Sequence, residues 1–555
     1  MLQRQPAARP DLRLIPRRQL DRQASGNQRR LARRKRHRFE RAQVHPGILV
    51  RTVRISRQRS LGRQFLNSNF HGIRYHSVLP AGNPKRVLTV APMPPEQCAY
   101  ALARYSRSPD SIRESIAWVR GHDAKKFLES FYFQYGHASI ADLGHVTLCF
   151  EGISELAAAE VEDEVLWDGQ ARSSRYQNFS RGGVVDPPEF DDAQRERYHA
   201  EAQALIEGYT ATHAAAIGAL RERLPRPGDL KPDAYERNLA ARAFDVARYL
   251  LPFGVPTGVG QITSIRTLER QVRRLRASAY AELRDLAAEI AAACEAPPDC
   301  TFEGGDAHPV APTLARHLEP DEHAIRSRED LQTWAAQNLP PGPPYSDEMV
   351  SLTHAEDVPA DIAATLLYPV THWPYAALYE FARSAGAAIR AEIIDAALRS
   401  RTSKDELLRG FRGGPYVFDL VIDIGAYRDL HRHRRCHQFR QTYTGDLGFS
   451  TPPLLTEIGL EADYSTRMSR ALAASAELPA PGAHYILPLG TRSRFLFKMD
   501  FAEAEYISRL RSGVKGHFSY REVAWRMKEK MEQLEPELGR LIQATPPSVE
   551  DPLRR

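Results

Sequence analysis

Hydrophobic and polar residues follow a helical period over most of residues 86–296. Apolar positions recur among charged ones in three segments, and each of these segments predicts an amphipathic helix. The three segments are Pro109–Tyr132, Tyr235–Leu251 and Thr267–Cys294. One clear strand, His145–Phe150, interrupts them. The first half of the chain is therefore predicted to be mostly helical.

A second block of the same kind begins near residue 346, after a stretch rich in proline and glycine. The stretch covers residues 297–345 and predicts a linker, although Glu322–Asn338 has the pattern of a short helix. The second block contains the strand Tyr416–Ile424 and a helical region from Ala502 to Leu541. The predicted organisation is a head (1–85), a first domain (86–296), the linker (297–345) and a second domain (346–545).

The two blocks repeat one order of elements. "ARYLLP" at 247–252 corresponds to "AHYILP" at 483–488, and in each block this segment lies between a strand with a polar motif and an arginine-containing helix. A repeat of about 200 residues indicates two copies of one domain, which commonly pack about a pseudo-twofold axis as a homodimer does. A functional site can then lie between the halves.

Charge is distributed unevenly along the chain. The net charge is +7, but residues 1–80 hold 20 Arg and Lys against three acidic residues, a net +17, so the remainder carries −10. A like-charged head without apolar periodicity is typical of disorder. It has no apolar run of the kind found in secretory signals. A transit peptide, a nucleic-acid-binding arm and an extension without function, such as one produced by a start codon assigned too early, all stay open.

Cysteine usage and hydropathy indicate a cytoplasmic protein that does not enter membranes. The five cysteines are scattered, odd in number and free of a CxxC pair, a pattern typical of a reducing compartment. No run of about 18 apolar residues occurs, so no transmembrane helix is predicted.

The most concentrated candidate chemistry lies at His431–Thr444, which holds four arginines, three histidines and a cysteine but no carboxylate. Guanidinium groups gathered in this way favour a phosphate or a carboxylate. A solvated basic face would give the same pattern. Zinc is a third reading, although neighbouring arginines repel a cation and the spacing fits no common zinc motif. Its ligands would be His431, His433, Cys436 and His437.

Several motifs together resemble the flavin-dependent thymidylate synthases. They are Tyr135-Gly-His137-Ala-Ser139, Ser173-Ser-Arg-Tyr176, Arg432-His-Arg434 and the two x-x-Leu-Pro segments. That family carries R-H-R-x-x-S-x-N-x-x-S-x-R-Y, preceded by Y-G-H-x-S and followed by A-R-x-x-L-P, N-A-R and a catalytic arginine. Each half follows this order over about 400 residues in total. The resemblance implies an α+β fold, with two tandem copies that form an intrachain pseudo-dimer.

In the first half the resemblance assigns residues to flavin, nucleotide and catalysis. His137, Ser139 and Arg266 fall on cofactor-binding positions, while Ser173, Arg175 and Arg248 fall on nucleotide-binding positions. The catalytic arginine is one of Arg273, Arg274 and Arg276, with Arg274 taken as the candidate. Asp163, Glu164 and Val165 stand where R-H-R is expected.

The second half has complementary losses. Arg432, His433 and Arg434 keep the R-H-R that holds flavin in the family, and Arg511 keeps the catalytic slot. The rest of the signature is replaced by His437, Phe439, Thr442 and Thr444. His484 replaces the A-R-x-x-L-P arginine, and Asp500-Phe-Ala502 replaces N-A-R. We interpret the losses as one composite site that both halves supply, with general decay of a paralogue as the alternative.

The resemblance implies reductive methylation of dUMP to dTMP, with FAD as cofactor and NADPH and methylenetetrahydrofolate as cosubstrates. The alternative function is a catalytically silent paralogue that binds a nucleotide, or nucleic acid through the basic head. Family sites are shared between subunits, so two chains are expected to associate, although a monomer stays open. Rossmann, P-loop, zincin and hydrolase-elbow motifs are absent from the sequence.

Overall fold

The structure is a computed structural model that describes residues 93–551 and 553. Gaps fall at 107, 109–110, 130–137, 175–176, 178, 180–182, 301–309, 311, 314–316, 403–404 and 406. The basic head predicted for residues 1–85 lies outside the described residues. The helices in the first half are α1 (Pro95–Tyr105), α2 (Ile112–Arg120), α3 (Ala124–Leu128), α4 (Glu155–Val161), α5 (Asp192–Arg223), α6 (Pro232–Ala247), α7 (Ile265–Arg276) and α8 (Ala281–Glu295).

Helix α9 (Glu322–Asn338) follows, and then the helices of the second half. These are α10 (Val358–Leu367), α11 (Tyr375–Ser384), α12 (Gly386–Leu398), α13 (Ile424–Leu430), α14 (Pro453–Glu457), α15 (Glu461–Glu477), α16 (Phe501–Arg511), α17 (Phe518–Leu534) and α18 (Pro536–Gly539). Leu331 and Trp334 of α9 are buried against the second half, so part of the proline-rich stretch packs with that half.

Each half contains one antiparallel sheet. The first has the order β1-β3-β2 and the second β4-β5-β7-β6. The strands are β1 (His145–Ser154), β2 (Trp167–Ala171), β3 (Pro256–Ser264), β4 (Val350–His354), β5 (Tyr416–Asp423), β6 (His437–Arg440) and β7 (Arg492–Met499). Strands β5, β7 and β6 therefore repeat β1, β3 and β2, and β4 adds one strand at the edge.

The repeat extends to helix caps. Ser154 ends β1 and accepts a hydrogen bond from the N–H of Ala157, while Asp423 ends β5 and accepts from the N–H of Ala426. Both caps start seven-residue helices, α4 and α13. This register makes Asp163 the structural equivalent of Arg432, so the fold is α+β with two tandem copies of one domain.

The two x-x-Leu-Pro segments meet at the pseudo-twofold axis of the intrachain dimer. Pro252 and Pro488 form an antiparallel bridge there. Hydrogen bonds around it are reciprocal, as an isologous contact requires. They run from Phe253 N to Leu487 O and from Leu489 N to Leu251 O, both at 2.9 Å, and from Gly254 N to Tyr485 O and Gly490 N to Tyr249 O, at 2.8 and 3.0 Å.

One hydrophobic core crosses this axis. Phe253 and Tyr198 of the first half are buried with Phe418, Phe495 and Tyr427 of the second. Because apolar side chains from both halves exclude water together, the halves are held by the hydrophobic effect as one unit. Among the helices that the structure describes, none is both long enough and apolar enough to cross a membrane.

Several predicted elements differ in extent. The predicted helix Thr267–Cys294 is two helices, because the chain turns at Ser278, whose hydroxyl accepts from the N–H of Tyr280. The predicted helix Pro109–Tyr132 breaks after Arg120, where Gly121 ends α2 and Asp123 caps α3. Residues 130–132 lie outside the described residues. Strand β3 was missed because "PTGVGQITS" is rich in glycine and polar residues.

Candidate functional site

The pseudo-twofold axis brings equivalent segments of opposite charge together. The acidic segment, residues 155–168, contains six carboxylates: Glu155, Glu160, Glu162, Asp163, Glu164 and Asp168. The basic segment, residues 428–440, contains five arginines: Arg428, Arg432, Arg434, Arg435 and Arg440. The acidic segment covers α4 and the start of β2, and the basic segment covers the end of α13 and all of β6.

Ion pairs connect the two segments. Arg440 Nη2 lies 2.5 Å from Glu160 Oε2 and 3.6 Å from Asp163 Oδ2. Arg434 reaches β2, where Nη2 is 2.8 Å from Asp168 Oδ1 and the guanidinium lies 5.5 Å from the centre of the Trp167 ring. Carboxylates of the acidic segment therefore neutralise part of the positive charge of the basic segment.

Two further arginines add to this contact. Arg409, which precedes β5, places Nη1 2.6 Å from Asp163 Oδ1. Arg428 places Nη2 2.6 Å from Oε2 of Glu155, a buried carboxylate that has no hydrogen bond of good geometry within the described part of the chain. The ion pair between Arg428 and Glu155 is therefore close but poorly aligned.

The carboxylates respond differently to their surroundings. Burial opposes ionisation of Asp163, but Arg409, Arg440 and Arg274 outweigh it and hold the pKa of Asp163 below its usual range. For Glu162, burial dominates over the attraction of Arg432 and raises the pKa of the carboxyl to about 7. Adjacent carboxyls thus differ in charge near neutral pH.

A small cavity of about 20 Å³ lies between the segments, lined by residues 162–165 of the first half and by His431, His433 and Arg434 of the second. That volume suits about one water molecule. Two polar atoms near it, Nη1 of Arg434 and Nδ1 of His437, are buried without a hydrogen-bond partner among the described residues. In a cavity of this size, an unpartnered guanidinium N–H can donate to one water molecule.

His433 and Arg511, predicted as a flavin ligand and the catalytic arginine, contact each other. Arg511 Nε donates to His433 Nε2 at 2.7 Å, and His433 Nδ1 lies 3.3 Å from Glu503 Oε1. Burial lowers the pKa of His433, with Glu503 acting against the shift and Arg511 adding to it. His433 is therefore neutral at pH 7.

Arg274, the other predicted catalytic residue, lies in the first half with a different partner. Its Nε donates to Glu164 Oε1 at 2.9 Å and its Nη2 donates to the Glu160 carbonyl at 2.8 Å. Glu164 is the structural equivalent of His433, and both line the small cavity. Arg274 and Arg511 therefore approach this cavity from the two halves.

Predicted flavin-binding residues gather at one end of the first sheet. Ser139 is exposed in the turn before β1, and Arg266 lies at the start of α7, 3.1 Å from Asp142 of that same turn. Arg434 contacts the start of β2 at this end. Arg432 is exposed, as is its neighbour Arg435. His137 lies outside the described residues.

The predicted nucleotide ligands lie elsewhere. Arg248 is only 4% exposed, and its Nη1 and Nη2 atoms both lie 3.2 Å from Asp429 Oδ2. This pairing lowers the pKa of Asp429 to about 2 despite burial. Ser173 is exposed just beyond the far end of β2. Arg175 lies outside the described residues.

The residues present fit the anionic part of a flavin cofactor. Arg432 and Arg435 are exposed, so two guanidiniums on one turn offer donors to a phosphate, while the unpartnered Nη1 of Arg434 is buried beside the small cavity. The small cavity is too small for a flavin ring, which leaves the arginines as the candidate contacts. Among the described residues, no group of three or more His, Cys, Asp or Glu side chains is arranged for a metal.

The sequence did not predict which residues contact the basic segment. It treated Asp163 and Glu164 as a lost motif, whereas they neutralise arginines. It also missed Trp167 and Glu503. Reversal of charge between aligned positions of the repeat was the signal that could have identified the acidic segment.

A family model described as thymidylate synthase complementing protein matches residues 87–297 and 376–537. A UPF0159 protein from Chlamydia muridarum is 26% identical over 434 residues, which cover 74% of this chain and 79% of the relative. A UPF0159 protein from Thermoplasma acidophilum is 23% identical over 489 residues, which cover 80% and 93%. These two names state no activity.

Solved structures give a weaker likeness. A flavin dependent thymidylate synthase, ThyX, from Helicobacter pylori, complexed with FAD and dUMP, is 16% identical with a TM-score of 0.23, covering 36% of this chain and 89% of that chain. A second structure of that protein with FAD and dUMP is 17% identical with a TM-score of 0.22, covering 36% and 88%. Likeness at this level carries no argument about ligands.

Proposed function

The chain belongs to the thymidylate synthase complementing protein family, and we propose that it is a flavin-dependent enzyme acting on a nucleotide. The proposed reaction is the reductive methylation of dUMP to dTMP. Methylenetetrahydrofolate gives the carbon and leaves as tetrahydrofolate, and NADPH gives a hydride and leaves as NADP⁺. The position of Arg434 carries the proposal, because it extends from the second half to Trp167 and Asp168 of the first and so holds the turn with the exposed Arg432 and Arg435 against the first sheet.

Arg432, Arg434 and Arg435 are the proposed cofactor contacts of the second half, with His137, Ser139 and Arg266 those of the first. Planar guanidinium forks neutralise phosphate and bind it bidentately. Bound FAD would relay the hydride, and the chain would supply position and charge. The exposed Arg432 is the arginine most accessible to such a ligand.

Arg511 is the proposed catalytic arginine. A guanidinium next to the uracil ring favours ionisation at N3, which makes the ring a better nucleophile. Arg274 is paired with Glu164 and also donates to the Glu160 carbonyl. Arg511 instead donates from Nε to a neutral imidazole, so within the described residues no carboxylate neutralises its positive charge. Ser173 and Arg175 are the proposed nucleotide contacts, and Arg248 supports the site through Asp429.

A second candidate is a catalytically silent paralogue that binds a nucleotide or, through the basic head, nucleic acid. Neutralisation of Arg440 and Arg434 by carboxylates of the acidic segment favours it. If both halves carried a basic segment, an anionic ligand would be needed to neutralise the arginines. In this chain, carboxylates of the acidic segment neutralise much of that positive charge. Substitution of ligand charge by protein charge is what a site released from function would show.

Purified full-length protein separates the two candidates. The enzyme is expected to retain FAD with a flavin absorption spectrum and to oxidise NADPH faster when dUMP and methylenetetrahydrofolate are present. Arg432→Ala together with Arg434→Ala is expected to abolish FAD retention, while Arg383→Ala, which removes an exposed arginine of α11, leaves it unchanged. Colourless protein that takes up no added FAD would refute the enzyme proposal, and salt-dependent binding of nucleic acid would support the alternative.

We also propose a cytoplasmic location and association of two chains. The first rests on the scattered cysteines. The second rests on the resemblance to a family whose sites are shared between subunits. Size measurement of the purified chain tests the association.

A further inference from the structure

His433 is surrounded by protein contacts on both ring nitrogens. Arg511 Nε is a donor only, so His433 Nε2 accepts the 2.7 Å hydrogen bond and carries no proton. Nδ1 then carries the proton of the neutral ring and faces Glu503 Oε1 at 3.3 Å. The contacts fix one tautomer, and neither nitrogen is left for an external ligand.

Arg511 is held on a second side. Its guanidinium carbon lies 5.7 Å from the centre of the Tyr520 ring of α17, within the range of a cation–π contact. No hydrogen bond joins its Nη1 or Nη2 atoms to any residue in the described part of the chain. The guanidinium is therefore held at Nε and on one face, while its two amino groups remain available to an anionic or carbonyl group.

We propose that His433, held by Glu503, is a positioning residue that fixes the guanidinium plane of Arg511 for the nucleotide and is not a ligand of the flavin. The inference rests on the proposed function for the identity of the ligand. The chain of contacts from Glu503 through His433 to Arg511 rests on geometry alone. A preorganised donor loses less side-chain freedom when it binds, which favours affinity.

Nitrogen-15 spectra of the full chain with labelled arginine test the positioning directly. The Nε–H resonance of Arg511, identified by its absence from Arg511→Lys, is expected to be protected from exchange with water. His433→Ala should remove this protection, and His433→Gln should restore it, because a glutamine amide oxygen can occupy the position of Nε2. Unchanged protection in His433→Ala would overturn the proposal whether or not the protein binds a nucleotide.

Binding measurements distinguish whether His433 supports binding of the nucleotide or of the flavin. His433→Ala is expected to weaken dUMP about tenfold by calorimetry, the effect of one lost hydrogen bond, and to leave FAD retention unchanged. Glu503→Leu should act in the same direction, whereas Glu505→Leu, two residues along α16, should not. Loss of FAD with unchanged dUMP affinity would make His433 a flavin ligand. No dUMP binding by any variant would refute the proposed function and leave the exchange measurement to decide the positioning role.

Discussion

Arg440 of the second half donates a hydrogen bond of 2.5 Å from Nη2 to Oε2 of Glu160 in the first half, and both side chains are more than four-fifths buried. Arg440 lies on β6 of the second copy, and Glu160 lies on α4 of the first copy. It shows that the positive charge of the basic segment is balanced by carboxylates of the other copy. A desolvated charge of this kind is stable only while its partner is present.

Arg440→Gln is therefore expected to lower the free energy of unfolding by about 3 kcal/mol, because it leaves Glu160 and Asp163 under-neutralised. Urea unfolding followed by circular dichroism measures the loss. Adding Glu160→Gln to this variant should recover part of it. Arg383→Gln removes an exposed arginine paired with Glu380 on α11 and should leave the free energy of unfolding nearly unchanged.

The pseudo-twofold axis predicts matched effects for two buried tyrosines. Tyr249 donates to Asp423 of the second half at 3.1 Å, and Tyr485 donates to Glu282 of the first half at 2.7 Å. Tyr249→Phe and Tyr485→Phe should each cost about 1–2 kcal/mol, since a buried carboxyl group loses one hydrogen-bond donor. Tyr345→Phe, at a tyrosine that is 76% exposed, is the control. A large cost for one tyrosine and none for the other would contradict the symmetry.

Close packing beside the axis predicts that two glycines resist substitution. A Cβ at Gly490 would lie 2.7 Å from Tyr249 Cδ1 and from the Tyr464 hydroxyl, and one at Gly254 would overlap the Tyr198 hydroxyl. Gly490→Ala and Gly254→Ala should each destabilise the protein by about 1–3 kcal/mol. Gly218 of α5 has no atom near the same position, so Gly218→Ala should be neutral or stabilising. Thermal unfolding of the three variants tests the contrast.

The carboxyl of Glu162 predicts a pH dependence. Burial raises its pKa to about 7, so the folded protein binds this proton more tightly than the unfolded chain does. Ionising this buried carboxyl reduces the free energy of unfolding. The reduction is absent below the pKa of Glu162 in the unfolded chain, grows as the pH rises towards 7 and is constant above that. Glu162→Gln should thus stabilise the protein by up to about 3 kcal/mol at pH 8 and by little at pH 4.5.

Denaturant unfolding at several pH values measures this difference. Glu196→Gln, on the exposed face of α5, controls for the loss of one negative charge. An equal effect of Glu162→Gln at pH 4.5 and pH 8 would show that the carboxyl does not titrate in this range. Because Arg432 opposes the shift, Arg432→Gln should enlarge the effect of Glu162→Gln.

The α+β class, the tandem repeat and the family could all be predicted from the amino-acid sequence. Periodicity placed strands such as β5 almost to the residue, because apolar runs reflect burial locally. It failed at β3, whose glycines and polar residues hide a central strand, and at the break between α7 and α8, where a short turn depends on one hydroxyl.

The partners of the charged residues could not be predicted without the three-dimensional structure. Arg248 and Asp429 are 181 positions apart, and Arg440 and Glu160 are 280 positions apart. No local pattern indicates such pairs, since each charge is neutralised only when the two copies meet at Pro252 and Pro488. From the sequence, the arginines of the basic segment predicted an anion site. In the structure, carboxylates of the first half neutralise much of this positive charge, and Arg432 stays exposed.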